Sequence, residues 1–254
     1  IGGAAPTDSR CGDSNLAMSG LYESSDGGET WCRVQQCSGG DALPLSGDAD
    51  RIGLAISGSR LFASYKKPGS WTLYFTTDVT CSVGGRPGRR WERGWSAPGS
   101  TTQCGTPGND AMYARLWSGL YADAIDADHI YAQGTDFMRS TDGGRTFRCP
   151  RTSPHVDHHG FALNPWNNAI IYTLCDGGIY QSGNYGDTWT QIGAGIANVE
   201  FYDIGDAATA PGVVMGGTQD NGNVKTDGSS AAWDRKADCE SGDAATVDFD
   251  PVDE

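Results

Sequence analysis

Positive charge is what this sequence has least of. Eighteen Lys and Arg stand against 32 Asp and Glu, a formal net charge of −14 and a calculated pI near 4.5. A phosphate backbone needs clustered Lys and Arg, so nucleic acid is excluded as a partner. The one basic cluster, RPGRRWER from Arg86 to Arg93, is short and reads as a solvated loop. No apolar run reaches the length of a membrane span, and nothing resembles a signal peptide. A chain that begins at Ile1 without Met is expected to have lost a leader or a larger N-terminal part. No Cys-x-x-Cys pair, Gly-x-Ser-x-Gly elbow, phosphate loop or dinucleotide fingerprint is present. There is no Asn-x-Ser/Thr site either, which favours a bacterial or otherwise unglycosylated protein.

What is abundant is glycine, 37 residues of it, among frequent Asp, Asn and Ser. Aromatic and β-branched residues are spread between these turn formers rather than clustered, which predicts an all-β domain with regular reversals. Three octapeptides punctuate the chain: Ser24-Ser-Asp26-Gly-Gly28-Glu-Thr30-Trp31, Ser140-Thr-Asp142-Gly-Gly144-Arg-Thr146-Phe147 and Ser182-Gly-Asn184-Tyr-Gly186-Asp-Thr188-Trp189. Each suits a turn in which Asp or Asn and the hydroxyls satisfy local backbone groups. The last glycine supplies φ > 0, and the closing aromatic is expected to be buried under the turn. Such a turn is structural, having little left over for chemistry.

Degenerate copies follow at Thr76-Thr77-Asp78 and Thr226-Asp227-Gly228, the latter closing at Trp233. Starts at 24, 76, 140, 182 and 226 are 52, 64, 42 and 44 residues apart. A propeller blade of four strands takes about 40 to 50 residues. A Cys- and Gly-rich insertion over 81–110, within the second blade, accounts for the longer intervals. Within each unit an inner strand (RIGLAIS, YADAID, HHGFAL, FYDIGD) precedes a second (RLFASY, HIYAQ, AIIYTL, GVVMGG), and the third carries the octapeptide. The expected fold is one β-propeller region, 1–254, of four-stranded antiparallel blades. Residues 1–4 and 243–250 read as unpaired strand pieces: either the terminal strand completes the first blade and closes the ring, or the chain is about five blades of a larger propeller truncated at both ends, which is the expectation preferred.

The octapeptide resembles the Asp box, or BNR repeat, of sialidases, xyloglucan-active glycosidases and sortilin-like receptors. From Asp48 onward the phrases HVDHH, CDGGIYQS, NVEFYDI, GGTQDNG and DFDPVD are similar to a group of secreted bacterial glycosidase-like and sortilin-like proteins. That group holds hydrolases, adhesins and proteins without an assigned role, so the resemblance implies fold more than activity. A sialidase would need an Arg-Ile-Pro motif; the chain has Arg51-Ile52-Gly53 instead, and that activity is rejected. Xyloglucan-active relatives use two aspartates across a cleft between two propellers, more than this chain supplies alone.

Candidate functional residues gather at predicted strand ends. On a strand His155, Asp157 and His159 would share one face and form a weak metal set, or else a polar network at the propeller mouth. Gly216–Asn223 is dense in acceptors: Asp220 and Asn221 could hold a structural Ca2+, or bond their own backbone in a turn. No other cofactor is expected. General acid/base work on a glycoside needs two carboxyls at a set separation. Asp157, Asp176, Asp203, Asp220 and Asp243 are too many to choose from. The expectation is one connected cluster of His155, Asp157, His159, Asp176, Gln219, Asp220, Asn221 and Asp243 that binds a ligand. Trp71, Trp91, Trp95, Trp117 and Trp166 are candidates for stacking on sugars.

Eight cysteines without metal spacing imply disulfides in an oxidising compartment, including local pairs Cys32–Cys37 and Cys81–Cys104. Together these readings give a protein that is secreted, periplasmic or at the cell surface, a binding or structural module for protein or polysaccharide. The alternative is a glycoside hydrolase, or part of a two-propeller one; the sequence leaves open whether it is an enzyme. Self-association, or missing blades from a longer chain, would complete its assembly.

Overall fold

A computed structural model describes residues 20–44, 49, 51–67, 70–83, 85–98, 119–196, 199–229, 233–235, 242–244, 246–247 and 249. The architecture is all-β and of the β-propeller class: successive up-and-down antiparallel sheets, each starting with its innermost strand. It opens with β1 (Tyr22–Glu23), β2 (Cys32–Arg33) and β3 (Gln35–Gln36). The next sheet contains β4 (Arg51–Ser57), β5 (Arg60–Lys67), β6 (Ser70–Val83) and β7 (Arg86–Pro98), with β3 added in parallel to the edge at β7. Then come β8 (Gly119–Ala122), β9 (His129–Gln133) and β10 (Phe137–Thr141). Two four-stranded sheets follow: β11 (His158–Leu163), β12 (Ile171–Cys175), β13 (Gly178–Ser182) and β14 (Thr190–Gln191), then β15 (Phe201–Asp206), β16 (Val214–Thr218), β17 (Gly222–Thr226) and β18 (Asp234–Arg235).

The octapeptides have the predicted internal bonding. Ser24, Ser140 and Ser182 Oγ accept from Gly28, Gly144 and Gly186 N at 2.8, 2.9 and 2.9 Å. Asp26 and Asp142 Oδ1 accept Thr30 and Thr146 N at 2.9 and 2.8 Å, and each threonine hydroxyl donates to Oδ2 at 2.6 Å. In the third turn Asn184 reverses the last bond, its Nδ2 donating to Thr188 Oγ1 at 2.9 Å. These turns join β1 to β2 and β13 to β14. The middle one joins β10 to a bridge at Arg148 that stands in for a fourth strand. The Thr226 copy lies between β17 and β18, with Gly228 N donating to Thr226 Oγ1 at 3.2 Å.

The Thr76 copy does not turn. Thr76 is buried inside β6, its Oγ1 accepting Leu61 N, and the strand runs on to Val83 with a register slip between Thr76 and Thr80. Continued pairing with β7 satisfies the backbone that a turn would have had to satisfy. Of the expected insertion, 81–83 end β6 and 86–98 are β7, which pairs back along β6 to Ser70, and 99–110 lie outside the described residues. The basic cluster is likewise strand rather than loop. It is carried on β7 with Trp91 facing inward at 1 % exposure.

Packing is face to face between neighbouring sheets. Phe62, Leu73 and Phe75 meet Leu120, Ile130, Ala132 and Phe147 in one layer; Tyr131 and Phe137 meet Ile171 and Trp189 in the next. Alternation on β9 therefore feeds both layers, Ile130 and Ala132 one way and Tyr131 the other. Phe147 and Trp189 are buried plugs as expected, but Trp31 is 46 % exposed. Its indole N–H donates to Gly28 O at 3.0 Å, which folds the ring back over its own turn. Trp71 and Trp91, candidates for stacking on sugars, are core residues.

The disulfide pairing differs from expectation. Cys37 is bonded to Cys81 with Cα atoms 5.7 Å apart, which rules out both Cys32–Cys37 and Cys81–Cys104. The cause is non-local: β3 lies along β7 at Gly88, and Cys81 is the residue paired with Gly88 across the hairpin. Gly88 has to lack a side chain, because a Cβ there would sit 2.8 Å from Cys81 Sγ. Cys32 and Cys149 are also disulfide-bonded, while Cys175 is a buried free thiol.

Candidate polar site between the blades

The turns that join first to second strands lie with the octapeptides: Tyr185 N donates to Ala169 O, and Gly143 N to Asp128 O. The β12–β13 turn, the β16–β17 turn and the segments entering each sheet therefore lie on the opposite rim. That rim carries Asp176, then Gln219, Asp220 and Asn221, then His155 and Asp157, then Asp243. The structure brings them together. Asn221 Nδ2 donates to Asp176 O at 3.2 Å and Gln219 O at 2.9 Å; Gln219 Nε2 reaches Asp176 Oδ2 at 3.5 Å. His155 Nε2 lies 3.2 Å from Asp220 O, His159 Nε2 2.6 Å from Asp176 Oδ1, and Asp220 N donates to Asp243 Oδ1 at 3.2 Å.

Backbone strain fixes two of the carboxylates. Asp157 and Asp220 both sit in the left-handed region, at φ 60° and 54°, where a non-glycine residue is costly without compensating bonds. For Asp157 those bonds are Asp157 N to Thr135 O and His158 N to Gly134 O, both 2.9 Å, which pin the entry to β11 onto the preceding sheet. The residue after it starts the strand alternation. His158 points inward to Thr173 Oγ1 at 2.8 Å, while His159 points to Asp176.

Charge in the site is unbalanced. Burial raises the Asp157 carboxyl above its ordinary range, and the Asp220 charge raises it further. Burial likewise raises Asp220, followed by its hydrogen bond to Asp176. Asp157 Oδ1 is buried without a hydrogen-bond partner. His158 is pushed down to about 3 by burial, with the nearby His159 and His155 charges adding to it, and is a neutral imidazole.

His155 does not join Asp157 in a metal set, because its two ring nitrogens lie 3.2 Å from Val156 O and Asp220 O, while His159 Nε2 is bonded to Asp176. The atoms that converge are one carboxylate oxygen each from Asp157, Asp176 and Asp220, within 4.8 Å of one another. An all-oxygen set of this kind suits a hard cation rather than zinc. Asp203 is elsewhere, accepting Val247 N at 3.2 Å. Two contributors went unrecognised in the sequence. Tyr202 is hydrogen-bonded to Asp243, and Gln133 reaches from β9 to Thr173 Oγ1 at 2.7 Å and Gly160 O at 3.1 Å beneath His158. Of the remaining sugar-stacking candidates, Trp166 is 90 % exposed on the β11–β12 turn, Trp95 packs on Trp71 and Phe147, and Trp117 lies outside the described residues.

No family model and no curated protein matches the chain. Solved structures similar to it include a GH74 enzyme from Niastella koreensis (21 % identity, TM-score 0.43, 85 % of this chain and 28 % of that one). A GH74 xyloglucanase from Xanthomonas campestris is similar at 14 % identity and TM-score 0.42, over 78 % of this chain and 32 % of that one. Trypanosoma rangeli sialidase follows at 14 % identity and TM-score 0.37, over 82 % and 41 %. The chain thus spans less than half the length of each. Among the described residues no helix is long and apolar enough to cross a membrane.

Proposed function

We propose that this chain is an extracytoplasmic propeller of the Asp-box type, a binding module whose polar rim contacts protein or polysaccharide. The observation that carries the reading is the convergence of carboxylates, amides and imidazoles from two adjacent sheets and the segments flanking them. Among them Asp157 Oδ1 is buried without a hydrogen-bond donor. Hydroxyl or cationic donors of a ligand would complete them. The cysteine pairing is in keeping with an oxidising compartment.

A hydrolase reading has one point in its favour, the raised Asp157 and Asp220 beside Asp176. Against it, carboxylate oxygens of Asp157, Asp176 and Asp220 lie within 4.8 Å of one another. Glycosidase carboxyls stand about 5 Å or more apart to admit the scissile bond. The test is a panel of neutral and charged polysaccharides and secreted proteins, with wild-type chain and Asp176→Asn. Retention of at least one polymer, weakened about tenfold or more by the substitution, is expected. Retention of none across the panel would end the reading.

A further inference from the structure

The polar rim joins two sheets between whose apolar faces no buried hydrophobic cluster lies among the described residues. On β11–β14, Thr173 faces the preceding sheet through Gln133. Leu174 and the nearby Ile192 lie on the other side and are 43 % and 44 % exposed. On β15–β18, Gly217 faces Ala244 and Val247, which cover it: a Cβ there would lie 2.1 Å from Ala244 O. Gly216 faces the other way, under the ring of Phe201, with Ile204 paired to it. Phe201, Ile204 and Trp233 are 39 %, 58 % and 42 % exposed, and the two rings are 5.5 Å apart. Among the described residues the hydrophobic clusters fill the earlier junctions and include no residue of β15–β18.

Exposed apolar residues scattered singly mean little, but a row of them beside a charged rim marks an interaction surface. Here the rim is acidic. Asp157, Asp176, Asp220 and Asp243 stand at the mouth of the groove, and the opposing groups are His155 and His159. Among the described residues no Lys or Arg forms an ion pair with these four aspartates. A whole-chain charge of −14 adds a field of the same sign.

We propose that this groove docks a basic, apolar peptide segment of a partner protein. A Lys or Arg enters the acidic rim of Asp157, Asp176, Asp220 and Asp243, and its apolar neighbours lie on Leu174, Phe201 and Ile204. This rests on the binding-module reading and selects protein over polysaccharide as what the groove takes. Charge complementarity chooses the sign of the partner, and the apolar walls exclude a merely polycationic one.

The test uses a short fluorescent peptide alternating Arg and Leu, with Glu/Leu and Arg/Ser counterparts, in EDTA so that no metal occupies the carboxylates. The Arg/Leu peptide should bind the wild-type chain, more weakly as salt rises, and the counterparts at least about tenfold less well. Ile204→Lys and Asp220→Asn should each weaken it about tenfold or more. Leu54→Lys, an equal charge change at another exposed strand residue, should leave binding unchanged. Ile204 is exposed, so its variant decides the matter if Asp220→Asn disturbs the fold. Equal affinity for Ile204→Lys and wild type, equal binding of Glu/Leu, or failure of Arg/Leu to bind would overturn the proposal. If panel polymers bind while the peptide does not, this inference falls alone. If nothing binds, the module reading falls with it.

Discussion

One side-chain amide, that of Asn221, clasps two turns by donating to Asp176 O at 3.2 Å while also holding Gln219 O in its own turn at 2.9 Å. Asn221 is buried, with its neighbour Gly222 N bonded to Gly242 O at 3.0 Å. The junction of β11–β14 with β15–β18 therefore depends on polar bonds where earlier junctions have apolar cores.

Asn221→Leu should leave the two carbonyls without donors, at a cost of roughly 1–3 kcal/mol. Urea unfolding would show a lower midpoint, and hydrogen exchange should speed up at the 176–177 and 219–222 turns before anywhere in β8–β10. Uniform acceleration across all sheets would count against a local clasp.

The third octapeptide uses Asn184 where its two counterparts use Asp. Asn184→Asp should turn a neutral bond to Thr188 into a charge-assisted one, as at Asp142, and stabilise by about 0.5–1.5 kcal/mol at neutral pH. Burial alone would raise the Asp142 carboxyl, but bonds from Thr146, Ser140 and Arg145 outweigh it and hold it below its ordinary value. A carboxyl lowered in this way contributes stability above the unfolded pKa of about 3.9. The gain should then vanish as pH falls through the lower folded value. A gain that persists in acid would mean the charge is not its source.

Local features were legible and non-local ones were not. The octapeptide bonds are made within eight residues, so Ser140, Asp142 and Thr146 could be read without the fold. The rim cluster was legible for a related reason: Asp176 and Asp220 sit in corresponding turns, and the propeller brings such turns to one rim. Cys37–Cys81 was not legible, because it depends on β3 joining β7 in parallel across a long stretch of sequence. Thr76 looks like a turn residue in sequence, yet a long partner strand keeps it in β6. Trp31 could not be told from Trp189 because burial depends on what packs against the turn.

Gly144 and Gly58 separate two costs of replacing glycine. Both have positive φ, +84° and +54°, but a Cβ on Gly144 would lie 2.2 Å from Leu73 Cδ2, whereas Gly58 has nothing within 4 Å. Gly58→Ala should cost only the backbone term, about 1–2 kcal/mol. Gly144→Ala adds displacement of Leu73 and strains the bond from Trp95 N to Gly144 O, for roughly 2–4 kcal/mol. Thermal melts of both variants would check this, and equal losses would remove the packing argument.

His158 gives the fold an acid-sensitive point. It is buried against Thr173, and burial first, then the neighbouring His159 and His155 charges, push it down to about 3 from an ordinary 6.5. Unfolding exposes the imidazole, so below pH 6.5 the unfolded chain binds a proton that the native one refuses. Stability from this group is complete above pH 6.5 and falls as pH drops from there toward 3, by up to ~1.4 kcal/mol per pH unit. Asp157 and Asp220 act in the opposite direction. Their raised carboxyls favour the fold at low pH and lose that contribution as pH rises through their folded values. His158→Gln keeps a side chain able to bond Thr173 but removes the titration. Urea midpoints between pH 7 and 4 should slope less steeply for the variant than for the wild type. Parallel slopes would show that His158 is protonated in the native state or is not the titrating group.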